Sequence, residues 1–170
     1  NNKNYIERTV IKAIKNDIAI YAIHTNFDNY RFGVNDEIAD RLNLKNRKIL
    51  SPKSNVLSKI VFFVPHAHKA EVLNAMFAAG AGEIGEYTEC SFQSEGIGTF
   101  MPSENATPYE GEAGELSIVN EVRVELLCSQ YSLGAVISAM IQTHPYEEVA
   151  NDIYPIQNKN QFEGSGMIGE

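Results

Sequence analysis

Apolar positions in the first third of the chain fall at helical spacing, then in an unbroken run, then at helical spacing again. Ile6, Val10, Ala13 and Ile14 stand four, seven and eight residues apart, one face of a helix that ends at Asn16-Asp17. Residues 18–23 (Ile-Ala-Ile-Tyr-Ala-Ile) predict a buried strand. After a polar turn, Gly33-Val34-Asn35-Asp36 predicts a helix start with Asn35 as N-cap, and Val34, Ile38 and Leu42 form its apolar stripe. Residues 43–58 have the composition of a polar connector. One strand and two helices within residues 1–57 cannot bury both faces of that strand, so this part needs more sheet than the chain supplies.

A second pattern follows. Residues 60–64 predict a buried strand, and residues 69–79 a helix packing Val72, Leu73, Met76 and Phe77. Residues 86–93 have strand character, which residues 98–101 continue or return. The segment 102–114, rich in Pro, Gly, Asn and Glu, predicts a long surface loop. Val122, Val124, Leu126 and Cys128 then alternate with Glu121, Arg123, Glu125 and Leu127, a strand with one buried and one mostly polar face. Leu133, Val136, Ile137, Met140 and Ile141 make a second helical stripe, and residues 149–156 a last strand. Strand, helix, strand, strand, helix, strand is the order of a ferredoxin-like split βαβ domain.

With 170 residues, 44% of them hydrophobic, 21% charged and 9% aromatic, the chain has the composition of an ordinary globular protein, and the order of its elements makes the expected fold class α/β (α+β). A net charge of −8 and a pI near 5.0 give nucleic-acid binding no electrostatic support. No apolar run reaches membrane-spanning length and no signal-peptide pattern opens the chain, so no membrane partner is expected. The two cysteines do not make a disulfide framework, and a cytoplasmic location is the expectation. The chain opens on Asn1 without a Met, which suits a processed product, an engineered piece or part of something larger.

The chemistry-bearing stretch is His24-Thr25-Asn26-Phe27-Asp28, directly after the apolar run. In α/β sheets reactive side chains collect beyond the carboxyl ends of strands. A His and an Asp at this spacing suit two ligands of one metal, or a base with its orienting carboxylate. Asp, Asn and Thr are equally ordinary turn formers, and the imidazole could merely satisfy a backbone carbonyl.

Gly-x-Gly-x-x-Gly occurs twice, at Gly80 to Gly85 and at Gly164 to Gly169, but neither copy has the strand-before, helix-after context of a dinucleotide site. Gly80 is more simply a helix C′ residue. His66 and His68 beside Pro65 suit solvated or capping roles, and His144, where Pro145 stops a helix, suits a structural one. Glu147 and Glu148 beyond it suit solvent. Cys90, with acids close by, is a poor nucleophile candidate.

These pieces together resemble one family. The resemblance rests on His24-Thr25-Asn26-Phe27-Asp28 and Gly33-Val34-Asn35-Asp36, then on a long signature. That signature includes Phe63-Val64-Pro65, Ala78-Ala79-Gly80-Ala81-Gly82, Ile84-Gly85-Glu86-Tyr87 and Cys90-Ser91-Phe92. It continues through Gly96-Ile97-Gly98-Thr99-Phe100, residues 105–111, Glu121-Val122-Arg123-Val124-Glu125 and His144-Pro145-Tyr146-Glu147-Glu148. The chain is similar to the GTP cyclohydrolase I type 2 homologue family, the Nif-three-like proteins, in the longer bacterial form with an extra domain in mid-chain.

The resemblance implies a partial Nif-three-like α/β metal-binding core at 1–57. It further implies an inserted PII/CutA-like ferredoxin-fold domain at 58–158 and a return to the core at 159–170. It implies two divalent ions, for which zinc, iron and manganese are all suitable. Their ligands would be an early His-His pair, the motif Asp, matched by Asp28, and a late His-x-x-x-Glu. His24 matches a His at or beside the metals, as ligand or proton-shuttling catalytic residue. No His-His pair precedes His24 and no His-x-x-x-Glu follows Ile156, so the chain is expected to be the centre of a protein roughly twice its length. The family also implies a homo-oligomer, trimer or hexamer. Two functional classes follow: a metal-dependent hydrolase acting on a small molecule, with this piece inactive alone, or a non-catalytic oligomerising or ligand-sensing module.

Overall fold

The computed structural model describes residues 4–170, which form two compact units, 4–51 with Phe162–Glu170, and Pro52–Gln161. The architecture is mixed α/β, with one two-stranded and one four-stranded antiparallel sheet.

The first unit opens with α1 (Tyr5–Lys15), whose first turn is capped by the Asn4 side chain accepting the Glu7 N–H at 2.8 Å. Of its apolar face only Ala13 is buried; Ile6, Val10 and Ile14 are exposed. The buried strand expected at 18–23 is not formed. That segment has no ladder partner among the described residues, and Ile18, Ile20, Tyr21 and Ile23 are exposed. An apolar run becomes a strand only where a neighbour satisfies its backbone groups.

One turn of helix, α2 (Thr25–Asp28), precedes α3 (Val34–Arg41). Gly33, not Asn35, is the N-cap of α3. Asn35 lies one position inside it and donates its Nδ2–H to the Asp28 carbonyl at 2.7 Å. The expected polar connector contains β1 (Lys48–Pro52), which buries Ile49 and joins β6 (Gly164–Ile168) in the two-stranded sheet. This pairing holds 48–51 in the first unit, so the division falls earlier than the expected 57/58. Alternation was too short there to mark a strand, and the partner lies at the far end of the chain.

The second unit comprises β2 (Leu57–Pro65), α4 (Lys69–Ala78), β3 (Ser91–Phe100), β4 (Ser117–Ser129), α5 (Leu133–Thr143) and β5 (Asn151–Ile156). The sheet order is β3-β4-β2-β5, and Phe62 faces Val124 while Phe63 faces Arg123. Ile60, Phe62 and Val64 from β2 join Val122, Val124 and Leu126 from β4 against Val72 and Met76 of α4 and Val136 and Met140 of α5. Both helices therefore cover one face of the sheet, and Phe63, Glu121 and Arg123 occupy the other. The third strand begins at Ser91, not at 86. Residues 86–90 turn instead, with an Ile84–Tyr87 bridge and Glu89 at φ +57°. No helix among the described residues is long and apolar enough to cross a membrane.

Candidate functional site

The His24 to Asp28 motif is held by local hydrogen bonds rather than by a strand. His24 is the N-cap of α2, its carbonyl accepting the Phe27 N–H at 2.9 Å and its own N–H donating to Asn26 Oδ1 at 3.2 Å. Its Nδ1 lies 3.1 Å from Thr25 Oγ1. Asp28 closes the turn half-buried, with its main chain tied to α3 through Asn35. Gly33 is required where the chain folds back: a Cβ there would collide with the Phe27 carbonyl oxygen. His24 and Asp28 thus stand at the two ends of one helical turn. An imidazole and a carboxylate suit a divalent metal in kind, but not in number. Among the described residues no three His, Cys, Asp or Glu side chains gather as a metal site.

The other histidines have separate partners. His66 Nε2 lies 2.5 Å from Glu95 Oε2, and His68 Nε2 lies 3.0 Å from the Tyr109 hydroxyl. His144, 7% exposed, ends α5. Its Nε2 sits 2.9 Å from the Phe63 carbonyl and its Nδ1 accepts the Tyr146 N–H at 3.1 Å. That arrangement requires the neutral Nε2–H tautomer, and burial holds the imidazole pKa below its ordinary value. Glu147, expected to be solvated, accepts the Thr107 N–H at 2.8 Å and so fastens the 102–114 loop.

Neither glycine motif forms a phosphate cradle. Gly80 is the C′ residue of α4 at φ +98°, donating to the Phe77 carbonyl, and Gly82 (φ +77°) donates to Leu127 on β4. Gly164 to Ile168 is strand β6, not the start of a helix. Both cysteines are free thiols, Cys90 half-buried and Cys128 buried, and burial raises the Cys128 pKa.

Sequence reasoning missed a cavity of about 730 Å³ in the second unit, on the sheet face opposite the helices. Its polar wall includes Glu121, Arg123 and Tyr146, and its aromatic wall Phe63, Phe100 and Tyr109. The 102–114 loop and residues 146–150 enclose it, tied together by the Thr107–Glu147 bond and closed at the base by Gly114 N–H to the Pro102 carbonyl. The one sequence signal was the polar alternation of Glu121, Arg123 and Glu125, which resembled a solvated face.

A two-unit α/β chain with one complete antiparallel sheet and a His–Asp turn outside it is the class that the geometry defines. The model of the Duf34/NIF3 (NGG1p interacting factor 3) family matches residues 1–168. The chain belongs to that family. It is 46% identical over 163 residues to the GTP cyclohydrolase 1 type 2 homolog of Halalkalibacterium halodurans, covering 95% of this chain and 44% of that protein. The Bacillus subtilis protein of the same name is 47% identical, also over 95% of this chain and 44% of its own length. A solved structure of a Bacillus cereus protein related to NIF3 superposes with a TM-score of 0.79 at 45% identity, over 99% of this chain and 44% of that one. The chain thus spans less than half the length of these relatives.

Proposed function

We propose that this chain supplies one part of a two-metal hydrolytic centre, to which Asp28 contributes a metal ligand and His24 a ligand or proton-shuttling group. The observation that carries the reading is the single turn that presents an imidazole and a half-buried carboxylate at its two ends, its main chain held by Asn35 and Gly33. Two donors cannot hold two metals, so the remaining ligands must come from residues outside this set. Zinc, iron and manganese suit such donors alike. The substrate is a small molecule of open identity. The reading is tested by metal analysis of a protein of the relatives' full length beside its Asp28→Ala variant. About two ions per chain, falling in the variant, is the expected outcome; unchanged occupancy refutes the ligand assignment.

A second reading concerns the second unit. Its element order and β3-β4-β2-β5 antiparallel sheet favour a ferredoxin-like module of the PII/CutA kind, which would oligomerise the protein as a trimer or a hexamer of stacked trimers. Exposed Phe92, Ile97 and Ile118 on β3 and β4 supply apolar surface for such contacts. Sedimentation of the intact chain is expected to show a trimer, and a strict monomer at high concentration counts against it.

A further inference from the structure

We propose that the cavity of the second unit is a binding site for a small organic cation, an ammonium-bearing molecule whose charge rests on Glu121. The proposal does not depend on the metal centre.

Glu121 projects from β4 on the helix-free face, lines the cavity and is only 8% exposed. No Lys, Arg or His among the described residues pairs with it. A carboxylate taken out of water without a cation is costly, and a ligand cation supplies the missing partner. The remaining charged groups of the wall are one cation, Arg123, and three further carboxylates, Glu95, Glu147 and Glu148. Arg123 is bound to Glu125, Glu95 to His66, and Glu147 to the Thr107 N–H. With one guanidinium, already paired to Glu125, against four carboxylates, the charge of the wall favours a cationic ligand over an anionic one.

The Tyr146 hydroxyl is the second observation. It is buried beside the same cavity, next to the Glu121 carboxylate. Burial first, and then hydrogen bonding to and the charge of the Glu121 carboxylate, push the phenol pKa above its ordinary value, so the group stays neutral beside Glu121 with its oxygen still able to accept from a ligand N–H. The Tyr146 ring also lies 6.4 Å from Phe100 and 6.0 Å from Tyr109, centroid to centroid. Aromatic rings gathered near a carboxylate are the surroundings in which ammonium groups are bound through cation–π attraction.

The floor is kept bare by glycine. A side chain at Gly98 would collide with Glu121 Oε2, so the carboxylate lies directly over strand backbone. A Cβ at Gly96, opposite Glu121 in the β3–β4 register, would meet nothing and would project into open space. The volume of about 730 Å³ is that of a small-molecule site, far more than a bare ion needs. A divalent metal would also lack ligands, since no three acidic or sulfur or imidazole side chains converge there among the described residues.

The test uses the intact chain, titrated with choline and with putrescine by calorimetry and ligand-observed NMR, with benzoate and magnesium as controls. At least one ammonium compound is expected to bind at one site. Glu121→Gln should weaken it by about tenfold or more, as befits loss of a charge-assisted contact. Gly96→Val, at a position where a Cβ meets no neighbour, should abolish binding while leaving the unfolding midpoint near wild type. If Glu121→Gln does not fold, the Gly96→Val and Tyr146→Phe variants decide. The proposal is overturned if neither ammonium compound binds at millimolar concentration. It is overturned equally if binding survives unchanged in the folded variants, or if benzoate or magnesium displaces the cation.

Discussion

His144 offers the sharpest test of how the second unit is held together. It is 7% exposed at the end of α5, and its imidazole bridges β2, through the Phe63 carbonyl, to the Tyr146 N–H of the following turn. His144→Ala leaves both backbone groups unpaired. At roughly 1–3 kcal/mol for each stranded buried group, the expected loss is about 2–6 kcal/mol. His144→Asn returns an acceptor near the Nδ1 position and His144→Gln a donor near Nε2, so each is expected to recover about half.

The pH dependence supplies an independent check. Burial depresses the native imidazole pKa below its ordinary 6.5. Below pH 6.5 the unfolded chain takes up a proton that the native state refuses, so stability falls as pH falls. The limiting slope is about 1.4 kcal/mol per pH unit, and the fall ends once the native pKa is reached. His144→Ala has no such proton to gain. Urea unfolding of wild type and variant from pH 8 to pH 5 should therefore show a gap that is constant above about 7 and narrows on acidification. A gap that stays constant or widens would refute the buried neutral imidazole.

Other outcomes follow from single positions. Met140→Ala, at a fully buried site between α5 and the sheet, should cost about 2–5 kcal/mol in denaturant unfolding through the cavity it leaves. Gly82→Ala should destabilise by more than about 1 kcal/mol, because φ is +77° and its Cβ would lie 2.7 Å from Phe77 Cε1. Gly134→Ala, in α5 where a Cβ meets nothing, should instead stabilise by about 0.5–1 kcal/mol, and opposite signs for this pair are the readout. Lys59 and Arg123 hold the Glu125 pKa below its ordinary 4.5, so that carboxylate stabilises the native state above pH 4.5 and ceases to as pH falls through its lowered native pKa. Glu125→Gln should therefore differ from wild type near neutrality and converge with it in acid, as followed by thermal unfolding.

The elements legible from residues alone were those whose burial is complete within one unit. The stripe Leu133, Val136, Met140 predicted α5, and the alternation from Val122 to Cys128 predicted β4, because α4, α5 and the sheet cover one another. The same logic failed at residues 18–23 and at the α1 face, where equally apolar residues are exposed. An apolar pattern reports which side chains gain from burial, not whether a neighbour is there to bury them. His24 and Asp28 were visible as chemistry-bearing residues, and their placement at the two ends of one turn followed from local hydrogen bonds. The cavity was not visible. Glu121 looks like any solvated strand residue until the 102–114 loop and residues 146–150 close over it.

What the sequence determined by itself is local or periodic: the helical and strand stripes of the second unit, the left-handed turn at Gly80, the stop at Pro145, and family membership through the joint signature. What only the tertiary structure decided is pairing and enclosure. β1 finds β6 across most of the chain, His144 finds the Phe63 carbonyl, and two loops fold over a carboxylate and a phenol. The physical reason is that backbone hydrogen bonds and desolvation are properties of pairs of distant groups. One residue's chemistry states its need for a partner, and only the fold supplies the partner or withholds it.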